Sequence, residues 1–135
     1  MIGLDSNILI RLAVRDDENQ FKRARKILKS VEADHPAYIN LIVLAEFCWT
    51  LNRAYKVPER GVCSAVTKLL DAKNVIIAQR EAIVQSLLLS ASSGCGLSDA
   101  LIASVNRLEG CKETLTFDRR FAGTGAARLV NGNET

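Results

Sequence analysis

Four carboxylates sit where chemistry could use them. Asp5 follows the short apolar run at residues 2–4, and Asp118 follows another at 114–117. Asp99 opens a helical stretch after the loop at 94–98. Glu46 lies inside Leu41-Ile42-Val43-Leu44-Ala45-Glu46-Phe47-Cys48-Trp49-Thr50-Leu51, an almost unbroken apolar run. Plain structural readings exist beside the functional one. Asp5 can cap the helix after it, Asp99 beside Ser98 suits a helix N-terminus, and Asp118 before Arg119 and Arg120 can be a turn residue. Glu46 is harder to explain in that way. Its helical neighbours Ile42, Val43, Trp49 and Thr50 offer no salt bridge, and a carboxylate on an apolar helix is costly to bury unless something positive meets it. Gathered in one crevice, four carboxylates would repel one another and lose hydration, so they should take up protons or a cation. Hard oxygen ligands suit Mg2+ or Mn2+, which keep several waters and pair with phosphate oxygens. The residues alone therefore point to Mg2+-dependent phosphoryl or phosphodiester chemistry, with a metal-bound water attacking phosphorus.

Other chemistries are excluded by what the chain lacks. It has one histidine, His35, so a nuclease built on two histidines as acid and base cannot be assembled. A nucleophilic triad would have to use His35, which sits in the polar stretch 32–36 beside Pro36. The four cysteines, Cys48, Cys63, Cys95 and Cys111, contain no C-x-x-C pair, and with one histidine they are too poorly spaced for structural zinc. They read as reduced, mostly buried thiols.

The elements that must position the carboxylates alternate between strand and helix. Residues 2–4, 37–39, 75–78, 114–117 and 128–130 read as strands. Residues 8–12, 16–32, 41–55, 58–70, 81–92 and 98–108 read as helices, with Pro58 opening one, Ser98 capping another, and Gly94 and Gly110 as stops. Such alternation on 135 residues predicts an α/β fold, one parallel sheet covered on both faces. In such sheets ligands bind outside the carboxyl ends of the strands, where Asp5 and Asp118 fall. A single domain over residues 1–130 is expected, with a polar tail at 131–135 that frays.

The balance of 48% hydrophobic and 24% charged residues is that of a globular chain. No apolar run approaches the roughly 18 residues of a membrane span. Asp5 stands where a secretion signal would carry a basic and then an apolar region, so a cytoplasmic protein is expected. The net charge of +3 permits a polyanionic partner without demanding one. Lys22, Arg23, Arg25, Lys26 and Lys29 read as a solvated helix face. Arg11 and Arg15, one turn apart beyond Asp5, and Arg119 and Arg120, beside Asp118, are better placed to meet substrate phosphates.

Four segments together carry a family resemblance. Ile2-Gly3-Leu4-Asp5-Ser6-Asn7-Ile8-Leu9-Ile10-Arg11 resembles the opening motif of PIN-domain nucleases, particularly the VapC-type toxins of toxin–antitoxin pairs. Val43-Leu44-Ala45-Glu46-Phe47-Cys48-Trp49-Thr50-Leu51 resembles the second motif. Leu97-Ser98-Asp99-Ala100-Leu101-Ile102-Ala103 and Leu115-Thr116-Phe117-Asp118-Arg119-Arg120-Phe121 resemble the third and fourth. Their order and spacing match over nearly the whole chain.

The resemblance implies a three-layer α/β/α sandwich with a four- or five-stranded parallel sheet. It implies Asp5, Glu46, Asp99 and Asp118 as catalytic metal ligands around Mg2+, or Mn2+, in an endoribonuclease that leaves a 5′-phosphate and a 3′-hydroxyl. Asn7 and Thr116 fall where the family uses polar residues to orient carboxylates or water. Two departures stand out: Asn40 replaces a small hydroxyl residue six positions before the glutamate, and Gly96 replaces an aspartate three positions before Asp99. The second puts a second metal ion in doubt.

The resemblance further implies an RNA substrate, a homodimer, and a cognate antitoxin whose C-terminal segment fills an apolar groove beside the active site. Trp49, with Phe47 and Leu51, reads as core, the groove being the alternative. Other functions also fit the residues: a PIN nuclease in RNA processing or on DNA without an antitoxin, or a non-catalytic scaffold that binds RNA or a partner. A phosphoreceiver domain fits poorly, because the first strand supplies Asp5 alone and Glu46 has no role there.

Overall fold

The computed structural model describes residues 1–130, and the tail at 131–135 lies outside the described residues. The chain starts with strand β1, Ile2–Gly3, whose ladder to Ala37 and Tyr38 is parallel. Parallel strands need a long crossover, and helices α1 (Ser6–Ala13) and α2 (Glu18–Ser30) supply it before β2 (Ala37–Ile39). Helices α3 (Leu41–Arg53) and α4 (Glu59–Asp71) make the next crossover, to β3 (Val75–Ile77). The sheet order is β1-β2-β3, all parallel.

Local chemistry sets the boundaries of these helices. The Asp17 carboxylate accepts from Gln20 N–H at 3.0 Å and starts α2. Asn40 Oδ1 accepts from Val43 N–H at 2.8 Å and starts α3. Asn40, the residue that departs from the family pattern, thus does the capping work of a small hydroxyl. The basic residues of α2, Lys22, Arg23, Arg25, Lys26 and Lys29, are all exposed, and Ala24 is the buried position of that helix.

Helix α3 shows where sequence reasoning fell short. Leu44, Phe47, Cys48 and Leu51 face inward, spaced three and four apart, while Ile42, Glu46, Trp49 and Arg53 form the opposite stripe. Trp49 is therefore not core: it is 56% exposed, with the Arg53 guanidinium 6.0 Å from its ring centre. A helix apolar on every face does not declare which stripe turns inward; the sheet and neighbouring helices choose.

From Arg80 the chain forms a second compact unit, distinct from Met1–Gln79. Helix α5 (Arg80–Ser93) packs along α6 (Leu97–Leu108). Gly94, at φ +75°, turns the chain between them, and Gly110, at φ +97°, ends α6 in a conformation that L side chains rarely adopt. Helix α6 begins at Leu97 with Gly96 as its cap residue and without a side-chain cap, so Ser98 is not the cap expected. Strand β4 (Leu115–Thr116) pairs in parallel with β5 (Arg128–Leu129), and the short helix α7 (Arg119–Gly123) lies between them. Cys95, Ala100, Ala103 and Phe121 form one buried apolar cluster of this unit. Among the described residues the fold is thus α/β, with seven helices, three parallel strands in the first unit and two mutually parallel strands in the second, so each sheet is smaller than the four- or five-stranded one expected.

The cysteines are thiols, with Cys48 and Cys95 buried and Cys111 exposed. Burial, then the neighbouring Cys63 and Glu59, pushes the Cys48 thiol from an ordinary value of 9.0 up to about 12. A group whose proton is held more tightly when folded stabilises the fold fully below its unfolded value. That contribution is lost as the pH rises from 9 through about 12. Iodoacetamide at pH 8 is expected to label Cys111 first and Cys48 on the order of a hundredfold more slowly, the difference vanishing in denaturant. Peptide mass mapping reads this directly, and equal rates in the folded protein would place Cys48 at the surface.

Candidate functional site

In the first unit the site is built on the turn that leaves β1. Asp5 occupies the cap position of α1, yet its side chain makes no capping bond. The capping role open to it from sequence is therefore not exercised. Its carboxylate is exposed, and its Oδ2 accepts from Asn7 Nδ2 at 3.3 Å. Ser6 is buried, and its hydroxyl donates to Glu46 Oε1. That bond ties the middle of α3 to the turn carrying Asp5. Glu46 is exposed, so the burial cost that singled it out does not arise. What holds its carboxylate is a hydroxyl donor 40 residues away in sequence, and no spacing rule points to Ser6.

The two arginines after Asp5 are engaged locally. Arg11 Nη1 forms an ion pair with Asp16, which raises the arginine pKa further above its ordinary value. Arg15 pairs with Glu18 at 3.0 Å and lies 4.0 Å over the Phe21 ring. The Arg15 bond also holds the Glu18 carboxyl below its usual range. Substrate phosphates would have to compete with these carboxylates.

In the second unit Asp99 is the third residue of α6, in its first turn and half-buried. Asp118 caps α7: its Oδ1 accepts from Arg120 N–H at 2.9 Å and Phe121 N–H at 3.1 Å. These bonds use one oxygen of the carboxylate and leave Oδ2 for a ligand. Thr116 Oγ1 accepts from Asp118 N–H at 3.0 Å, closing a turn across Phe117. Arg119 and Arg120 are exposed, and neither makes an ion pair among the described residues. Helix α7 itself had no sequence signature, because five residues are too few to show a helical period.

Taken unit by unit, Asp5 and Glu46 in the first and Asp99 and Asp118 in the second are exposed or half-exposed carboxylates, hard oxygen donors of the kind Mg2+ takes. A compact group of acidic residues and a histidine lies elsewhere in the first unit. Glu32, Asp34 and His35 bring ligand atoms within 4.8 Å of one another in an exposed turn bridged between Glu32 and His35. None of the four sequence-selected carboxylates belongs to it.

Two cavities lie within single units. One of about 420 Å³ in the first is apolar, lined by Leu9, Leu12, Leu28, Phe47, Leu51 and Leu69 among others, from α1, α2, α3 and α4. The other, about 330 Å³ in the second unit, has Leu89 and Ala103 in its lining and cations at its rim. Two of those cations are engaged: Arg128 holds Glu113 at 2.9 Å, and Arg107 donates to Gln85 at 3.2 Å.

The chain's strand order, crossover helices and four acidic positions can be set against known families. The family model described as PIN domain matches residues 2–127, across both units. The chain belongs to the PIN domain family. Solved structures similar to this PIN domain include VapC20 of Mycobacterium tuberculosis, described as a Sarcin-Ricin loop cleaving toxin. The match is at 19% identity over 93% of this chain and 95% of that one, with a TM-score of 0.45. Another is a toxin–antitoxin complex from Klebsiella pneumoniae, at 21% identity over 100% of both chains and a TM-score of 0.36. No curated protein matches the chain. No helix among the described residues is long and apolar enough to cross a membrane.

Proposed function

We propose that this PIN domain is a Mg2+-dependent endoribonuclease, the toxin of a VapBC-type toxin–antitoxin pair. The observation that carries the reading is the turn after β1. An aspartate in a helix-cap position is left uncapping and exposed, and the adjacent Ser6 holds the second-motif glutamate. Asp5 spends no oxygen on a cap and Asp118 spends only Oδ1, so both keep carboxylate oxygen for a ligand.

In this reading Asp5, Glu46, Asp99 and Asp118 hold Mg2+, with Mn2+ as a substitute. The bound ion supplies a water of lowered pKa and neutralises charge on the scissile phosphate. The chain's own groups do the positioning. Asn7 Nδ2 orients Asp5, Ser6 orients Glu46, and the Thr116 turn orients Asp118. Arg119 and Arg120, free of ion pairs among the described residues, meet phosphates of the RNA backbone, whereas Arg11 and Arg15 do so only by exchanging Asp16 and Glu18. Cleavage on the phosphate side of the 3′-oxygen leaves a 5′-phosphate and a 3′-hydroxyl. The apolar cavity of the first unit suits the apolar C-terminal segment of an antitoxin, and a cytoplasmic homodimer is the expected form.

The test is 5′-end sequencing of total cellular RNA after brief expression of the wild type, with Asp5→Asn as control. Discrete new 5′-phosphate ends in the wild type alone are expected, and they name the substrate. Matching profiles from two folded, antitoxin-free proteins would sink the toxin reading and leave DNA cleavage or a non-catalytic scaffold.

A further inference from the structure

Phe117 stands between β4 and the cap residue of α7 and is 82% exposed, a larger fraction than any other large apolar side chain among the described residues. A single exposed apolar side chain needs no explanation by itself. Three features set this one apart. Its backbone is held from both sides, since Asp118 N–H donates to Thr116 Oγ1 at 3.0 Å and Asp118 Oδ1 takes two amides of the next turn. The following aromatic, Phe121, is 6% exposed and anchors that turn in the core, so the loop carrying Phe117 is not a loose tip. On the far side of Asp118 stand Arg119 and Arg120, exposed and without ion pairs among the described residues.

A rigidly presented ring, two available guanidiniums and a carboxylate with one oxygen unspent form a small surface with a definite chemistry. An aromatic face stacks any unpaired base, and guanidiniums take the phosphates on either side of it. We propose that Phe117 is a stacking platform for an unpaired RNA base next to the phosphate that Asp118 serves. The assignment rests on the endoribonuclease reading and deepens it, because a base stacked on Phe117 must leave its own helix. Paired RNA is then a poor ligand at this position, and discrimination follows the pairing state of the RNA rather than base identity.

The test separates binding from cutting. In EDTA, with Asp5→Asn as the background, fluorescence anisotropy of a short unstructured fluorescein-labelled RNA is compared with and without Phe117→Ala. Affinity is expected to fall roughly ten- to hundredfold in Phe117→Ala and to return in Phe117→Trp, with unchanged circular dichroism. Affinities for Phe117→Ala within about twofold of its background overturn the assignment, even if the wild type cuts RNA well. So does an absence of RNA binding in the background itself, or a lost affinity that tracks dissociation of a dimer in sedimentation, which would make a second copy the occupant of the ring. Ring-dependent binding by a protein whose wild type cuts no RNA would leave the platform standing and remove the nuclease.

Discussion

Asp5→Asn and Asp118→Asn are each expected to lower cleavage of a susceptible RNA about a thousandfold or more while the fold survives. A metal-supporting carboxylate contributes several kcal/mol to the transition state, and about 4 kcal/mol corresponds to roughly a thousandfold in rate. Neither substitution has to remove a structural bond, since an asparagine Oδ1 at position 5 can still accept from Asn7 Nδ2. Asp5 makes no cap bond to lose, and at position 118 an asparagine Oδ1 can accept from Arg120 and Phe121 as the aspartate does. Thermal midpoints should therefore stay within about 2 °C of wild type. Alanine at 118 is the wrong control, because it deletes the α7 cap and costs about 1 kcal/mol whatever the chemistry. EDTA should produce the same loss in the wild type, reversed by Mg2+, and no further loss in either variant. Cleavage by both variants at the wild-type rate would show that these carboxylates do not carry the reaction.

The second large effect concerns stability. Phe47→Ala should cost about 3–5 kcal/mol, because a ring 1% exposed leaves a cavity between α3 and its neighbours. For a chain of this length that lowers the midpoint by on the order of 10–20 °C. Trp49→Ala, two residues on, should cost less than about 1 kcal/mol: the ring is 56% exposed and loses chiefly its contact with Arg53. Circular dichroism melts of the pair decide the matter, and the reverse ranking would mean that α3 turns its other face inward.

That ranking marks the border between what sequence and structure each contribute. The alternation of strands and helices was legible because its causes are local: Pro58 ahead of one helix, stops at Gly94 and Gly110, and periodicity over helix-length windows. The placement of Asp5 and Asp118 just beyond strands was legible for the same reason. Membership of the PIN domain family followed from four motifs in order, and the family match over residues 2–127 agrees.

Four things needed the folded chain. Residues apolar on all sides of α3 carry no signal of which stripe is core, so Trp49 read as buried and Glu46 as costly until packing turned them outward. The Ser6–Glu46 bond spans 40 residues, and only tertiary contact brings those two groups together. Asp5 and Asp118 both occupy cap positions, yet one caps and the other does not, a choice made by side-chain orientation rather than by residue type. Arg11 and Arg15 looked available for phosphate, and packing of the turn after α1 gave them to Asp16 and Glu18. In each case sequence determined which groups the chain carries near a strand end or on a helix. Direction and partner were decided by tertiary structure, because burial and hydrogen bonding depend on neighbours that local propensity does not see.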